Sequence, residues 1–160
     1  MYKILLLDDR RQSRISLEER FISKNMEVFS CRNIYEANDI WGKMKGELDA
    51  IVIDMMMPSL GMSESLHANT NEYKLTGWIW LWRNLNPNNE DPHPAVDKCI
   101  VIYSAYLPDF DKYINSNQLS KKEKEFADRV KCIPKGFNNN EKDVLDILIN
   151  DRAKKASALC

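Results

Sequence analysis

Residues 48–58 read LDAIVIDMMMP, and the fold turns on this stretch. Ala50, Ile51, Val52 and Ile53 form an unbroken apolar run rich in β-branched side chains. A run of that kind suits a strand covered on both faces, as in the interior of a parallel sheet. It stops at one carboxylate, Asp54. Open α/β sheets place their ligands at the C-terminal ends of parallel strands, so an acid there is a candidate functional group. Taken alone, Asp54 is more simply read as a capping residue. The balance changes because three other strand-like runs also end in polar groups of complementary type.

Upstream, residues 2–7 read as a first strand, ended by Asp8 and Asp9. Neighbouring carboxylates alternate direction on a strand, so a turn must follow if both serve one site. Residues 10–23 carry Ile15, Leu17, Phe21 and Ile22 in a pattern that predicts an amphipathic helix. MEVFSC (26–31) reads as the second strand. Asn33 is placed to cap a helix to about residue 45, with Ile34, Ala37, Ile40, Trp41 and Met44 on one face.

Downstream, residues 59–76 are polar and without period, which predicts a long loop or insertion of a functional kind. GWIWLWRNL (77–85) has Trp78, Trp80 and Trp82 at strand-like alternation, yet Trp78 and Trp82 also share a helical face. A chain of βα units requires a helix at this point, with core tryptophans. Residues 86–97 read as another loop. KCIVIY (98–103) is a fourth buried strand, ended by Ser104 and Ala105. Helices are expected over 109–115 and 121–129, the second opened by a Ser120/Glu123 capping box. Residues 130–134 give a short fifth strand, ended by Lys135 and Gly136. A closing helix over 141–152 should turn Val144, Leu145, Leu148 and Ile149 inward, leaving 153–160 as a frayed tail. The order (βα)5 predicts a parallel sheet with helices on both faces.

The chain has 160 residues, enough for one domain with a real core. A hydrophobic fraction of 44% with 29% charged residues is globular rather than disordered. The net charge of −1 gives no basis for direct nucleic-acid binding. The longest apolar runs are too short to span a bilayer, and MYKILLLDD lacks the apolar core and cleavage site of a signal peptide. Cys31, Cys99, Cys132 and Cys160 form no CxxC pair; the first three lie in or beside strands and read as buried reduced thiols of a cytoplasmic protein. His67 and His93 do not complete a zinc site with them.

Asp8, Asp9, Asp54, Ser104 and Lys135 would converge in a doubly wound sheet. Carboxylates in one cleft repel by roughly 4 kcal/mol per pair at 4 Å and an effective dielectric of about 20. Such a cluster calls for a cation, and hard oxygen donors favour Mg²⁺. Asp9 would coordinate it directly, with Asp8 ligating or orienting water and the backbone carbonyl of Met56 adding a ligand. The set suits phosphoryl transfer onto Asp54: a carboxylate nucleophile forms an acyl phosphate, while Lys135 and the Ser104 hydroxyl stabilise phosphoryl oxygens.

Here the chain resembles the response-regulator receiver domains of two-component signalling. LLLDDR, IVIDMMMP, IVIYSA and the lysine of IPKGF match, in order, the family's acidic pair, phosphoacceptor segment, hydroxyl position and lysine, and Asp9 lies 45 positions before Asp54. The resemblance spans about residues 2–150. It implies a flavodoxin-like (βα)5 three-layer sandwich with strand order 2-1-3-4-5 over residues 1–152. It implies a histidine kinase or phosphotransfer protein as donor, an unknown downstream protein target, a homodimer as one option, and no catalysis beyond the chemistry on Asp54. The chain departs from the family at Gly136, where proline is usual, and at Cys132, where an aromatic switch residue is common. Eighteen residues separate Pro58 from Gly77, and 104–135 is also long. These departures bear on output rather than on phosphorylation. The alternative reading is a pseudo-receiver, a phosphorylation-independent interaction module. A haloacid-dehalogenase-type phosphatase would need an acid where Met56 stands, and a flavin site a Gly/Ser/Thr-rich loop after the first strand. No output domain follows Arg152, which fits a stand-alone receiver or a piece of a longer chain.

Overall fold

A computed structural model of the chain describes residues 1–64, 74–85, 97–116, 119–136 and 140–158. Its elements are β1 (Tyr2–Leu7), α1 (Arg11–Ile22), β2 (Met26–Cys31), α2 (Ile34–Met44), β3 (Ala50–Ile53), α3 (Thr76–Leu85), β4 (Cys99–Ser104), α4 (Leu107–Ile114), α5 (Lys121–Ala127), β5 (Lys131–Pro134) and α6 (Glu141–Ala158). The five strands form one sheet in the order β2-β1-β3-β4-β5, every neighbouring pair parallel. This is the flavodoxin-like architecture expected from the sequence.

Side chains alternate across a strand, and the two resulting faces found two cores. Leu5, Leu7, Ile51, Ile53 and Ile102 pack beneath α2, α3, α4 and α5. Ile4, Leu6, Val52 and Val101 pack against α1 and α6 on the other side. Every residue of β3 is buried, as the unbroken apolar run requires.

The tryptophan-rich segment is a helix, and its strand-like alternation has a physical cause. Trp78 packs on Phe110 and Phe126, at centroid distances of 4.9 and 5.5 Å. Trp80, about 200° around the helix from Trp78, meets Trp41 at 5.8 Å and donates its indole N–H to Asn38 at 2.8 Å. Helix α3 is thus wedged between α2 and the α4–α5 pair and buried on opposing sides, which blurs the amphipathic period.

Other expectations need correction. In α1 the buried residues are Leu17 and Phe21, one turn apart, whereas Ile15 and Ile22 lie off that stripe and are 40% and 55% exposed. Ile149 of α6 is likewise 37% exposed, while Val144, Leu145 and Leu148 face inward. Two helices, α4 and α5, fill the long 104–135 connection; α4 begins at Leu107 with Pro108 in its first turn, earlier than expected. The capping box forms as expected, and Asn33 caps α2 through Glu36. The tail does not fray at residue 153. Helix α6 continues to Ala158 because Lys155 reaches back to the carbonyl of Asp49 at 2.9 Å. Among the described residues only Cys31 is a fully buried thiol: Cys99 is half-buried, and Cys132 is exposed because β5 forms the sheet edge. Cys160 and residues 65–73 of the predicted insertion lie outside the described residues, as do residues 86–96 of the second loop. No described helix is long and apolar enough to cross a membrane.

Candidate functional site

Strand register creates the site. Leu7 is level with Ile53, and Ile53 with Ile102. Beyond the last rung, the amide of Asp54 donates to Leu7 O at 2.8 Å and that of Asp8 to Cys31 O at 3.1 Å. Asp8 and Asp54 therefore leave the sheet side by side. Ser104 is level with Pro134, and the Lys135 amide donates to Ser104 O at 3.0 Å.

The Lys135 ammonium lies 2.7 Å from Asp8 Oδ2 and 2.5 Å from Asp54 Oδ2. One cation thus bridges two carboxylates that are only 2% and 4% exposed. Asp9 is exposed, and one carboxylate oxygen from each of Asp8, Asp9 and Asp54 falls within a 4.8 Å cluster. The structure therefore brings Asp8, Asp9, Asp54 and Lys135 together. Ser104 sits at the same end of the sheet, fully buried. Its hydroxyl accepts from the Tyr106 amide at 3.3 Å. Met56 meets Asp54 through its amide, which donates to Oδ1 at 3.2 Å.

Hydrogen bonding sorts the three acids. Asp8 Oδ1 accepts from the Arg10 amide at 2.9 Å, and Oδ2 accepts from Ser13 Oγ at 2.6 Å as well as from Lys135. Asp8 is engaged by three protein donors. Asp9 accepts no hydrogen bond among the described residues and is the carboxylate most open to a metal. Burial, then the charges of Asp54 and Asp8, hold the Asp9 carboxyl above the usual carboxylate range, against the opposing pull of Lys135 and Arg10. An oxygen-rich cluster with one unpartnered carboxylate fits a hard dication such as Mg²⁺.

Solved structures with similar backbones bear on the fold. A response regulator receiver domain protein from Clostridium thermocellum aligns over 99% of this chain and 99% of its own, with a TM-score of 0.59 and 16% identity. A CheY-like receiver domain protein from Methanospirillum hungatei aligns over 96% of this chain and 97% of its own, with a TM-score of 0.57 and 17% identity. The response regulator TrrA from Thermotoga maritima, in complex with Mg²⁺-BeF, aligns over 92% of this chain and 99% of its own, with a TM-score of 0.52 and 21% identity. The chain has the receiver-domain fold. No protein-family model and no curated protein sequence matches it.

Within this receiver fold, sequence reasoning missed the residues that hold Asp8. Ser13 and Arg14 lie in the first turn of α1; Arg14 donates to the Asp8 carbonyl at 2.7 Å. A serine and an arginine on a polar helix face carry no signal of such a role, since their partner lies in the preceding turn.

The raised Asp9 carboxyl has a measurable consequence. Because the Asp9 carboxyl is raised in the folded protein, deprotonation penalises the native state as pH climbs from the ordinary carboxylate range through the raised value. Asp9→Asn will therefore raise the Tm of the metal-free protein at pH 7. The gain will vanish below about pH 4, where Asp9 is protonated in both states. Thermal melts in chelator across this range test it, and an unchanged Tm at pH 7 would mean that neither burial nor the neighbouring acids disfavour the ionised Asp9. Saturating Mg²⁺ should reverse the order.

Proposed function

We propose that the chain is a phosphoaccepting receiver in which Asp54 takes a phosphoryl group from the phosphohistidine of a histidine kinase or phosphotransfer protein. The observation that carries this reading is the Lys135 ammonium bridging Asp8 and Asp54 beside the unpartnered carboxylate of Asp9. A solved relative of the fold holding Mg²⁺-BeF adds support.

A carboxylate oxygen of Asp54 forms the new O–P bond as the N–P bond of the donor breaks, and the imidazole nitrogen keeps the electron pair. Hydrolysis reverses the state: water attacks phosphorus, releasing phosphate and the free carboxylate. Lys135 fixes the Asp54 carboxylate before transfer and supplies positive charge to a phosphoryl oxygen afterwards. The buried Ser104 hydroxyl is the donor for another oxygen. Asp9 and Asp54 would hold Mg²⁺ directly, with the Met56 carbonyl as a further ligand and Asp8, already engaged by three protein donors, acting through water. A dication held there would supply charge neutralisation for the transferring group.

Output follows from the altered half of the molecule. With Cys132 in place of an aromatic switch residue, the phosphorylated state is read through the helices between β3 and β5 by a downstream protein partner, in the cytoplasm and without direct nucleic-acid contact.

Incubation with a small-molecule phosphodonor and Mg²⁺ should add one phosphoryl group by intact mass, and Asp54→Asn should add none. A chain that binds neither Mg²⁺ nor beryllofluoride would instead be a phosphorylation-independent binding module.

A further inference from the structure

At the end of the sheet opposite Asp54, the start of β4, the start of β5 and the later turns of α6 line an open hollow of about 440 Å³. That volume is in the range of small-molecule sites. Four cationic side chains line it, Lys98, Arg129, Lys131 and Lys154, beside the apolar Ile100 and Ile147. The whole chain has a net charge of −1, so this gathering of positive charge does not mirror the bulk.

Two of the acids nearby, Asp151 and Asp49, are already engaged. Asp151, the one acid in the lining, accepts from the Tyr2 hydroxyl at 2.5 Å and pairs with Lys155 at 3.0 Å. Asp49, which acts on Lys98 together with Asp97, has Oδ2 on the Lys3 amide at 2.8 Å. Lys131 and Lys154 make no ion pair or hydrogen bond among the described residues. The Lys98 ammonium donates to Leu48 O at 2.6 Å. Burial, then the charge of Lys155, pulls its pKa below the ordinary lysine range, an effect that the nearby carboxylates oppose without cancelling. Burial also pushes the Cys99 thiol up to about 11, so Cys99 adds no negative charge to the cavity at neutral pH.

We propose that this cavity binds a small phosphate-bearing anion with a compact apolar part, of mononucleotide size, at a site separate from Asp54. The cations come from three elements around one hollow. An extended polyanion would instead be tracked by a stripe of charge. Ile100 and Ile147 offer the apolar part a surface that inorganic phosphate alone would leave unused.

The test uses the full chain without Mg²⁺, titrated calorimetrically and by amide chemical shift with AMP, pyrophosphate and adenosine. AMP should saturate with a Kd below about 1 mM and shift the amides of Cys99, Ile100 and Asp151. The double variant Lys131→Glu, Lys154→Glu should weaken it at least about tenfold; both residues are exposed, and an unchanged melt will verify its fold. Adenosine should not bind. Saturable pyrophosphate binding that is lost in the same variant would also support the site. Absence of saturation by both anions, equal binding of adenosine and AMP, or indifference to the double variant would overturn it. Asp54→Asn should bind AMP like the wild type, so this result is independent of whether Asp54 accepts a phosphoryl group.

Discussion

Gly77→Ala will destabilise the protein by about 3 kcal/mol, near the upper end of what overpacking usually costs. A Cβ at position 77 would lie 2.1 Å from the carbonyl oxygen of Asp54, 3.0 Å from its carbonyl carbon and 3.1 Å from Met55 Cα. All three are backbone atoms, so no rotamer change relieves the clash. The approach is fixed from both sides: the Gly77 amide donates to Met55 O at 2.9 Å, and Asp54 is tied to β1 through Leu7 O. Helix α3 must lift away or the Asp54 turn must deform. Alanine's better helix propensity returns only about 1 kcal/mol. For a chain of this size the net loss corresponds to a Tm lowered by roughly 6–12 °C. The control is Gly42→Ala in the interior of α2, where a Cβ meets nothing within 4 Å. That substitution should gain up to about 1 kcal/mol. Denaturant titration of the pair decides the matter; a Gly77→Ala protein as stable as the wild type would mean that α3 is not seated on Asp54.

Lys135→Met will have a comparable effect at neutral pH, for a different reason. The methionine fills similar volume but leaves Asp8 and Asp54 as neighbouring buried carboxylates without a cation. Removing one partner from a buried ionic network typically costs about 3–5 kcal/mol. Ser13 and the Arg10 amide still donate to Asp8, which places the expected loss toward the lower figure. The loss should be conditional. Mg²⁺ should return the lost stability by replacing the missing positive charge. Urea denaturation at pH 7, with chelator and with Mg²⁺, separates this from a packing defect, which metal would not repair.

Both predictions concern features of unequal legibility. The sheet was readable because 50–53 and 99–103 are continuous apolar runs, and such runs admit few alternatives to a strand covered on both faces. The site acids were readable because each follows a strand directly, so that strand register alone brings Asp8 beside Asp54. Boundaries and faces were less so. Ile15, Ile22 and Ile149 look like core residues by composition, but a helix contacts the sheet along one stripe, and the stripe is set by Leu17 with Phe21 in α1 and by Val144 with Leu148 in α6. The extension of α6 past Arg152 depends on Lys155 meeting a carbonyl more than a hundred residues away, which no local pattern encodes. The Ser13 clamp on Asp8 and the close approach of Gly77 to Asp54 are likewise tertiary facts.

The segregation of the two cores gives the molecule a built-in optical asymmetry. All four tryptophans, at positions 41, 78, 80 and 82, belong to the layer beneath α2 through α5, and the layer under α1 and α6 contains none. Emission excited selectively from tryptophan therefore watches only one half of the protein, since the other core holds tyrosines, Tyr2 and Tyr103, in place of tryptophan. Loosening on the α1–α6 side would pass unseen by fluorescence while amide exchange recorded it, so disagreement between the two signals would identify which half gives way first.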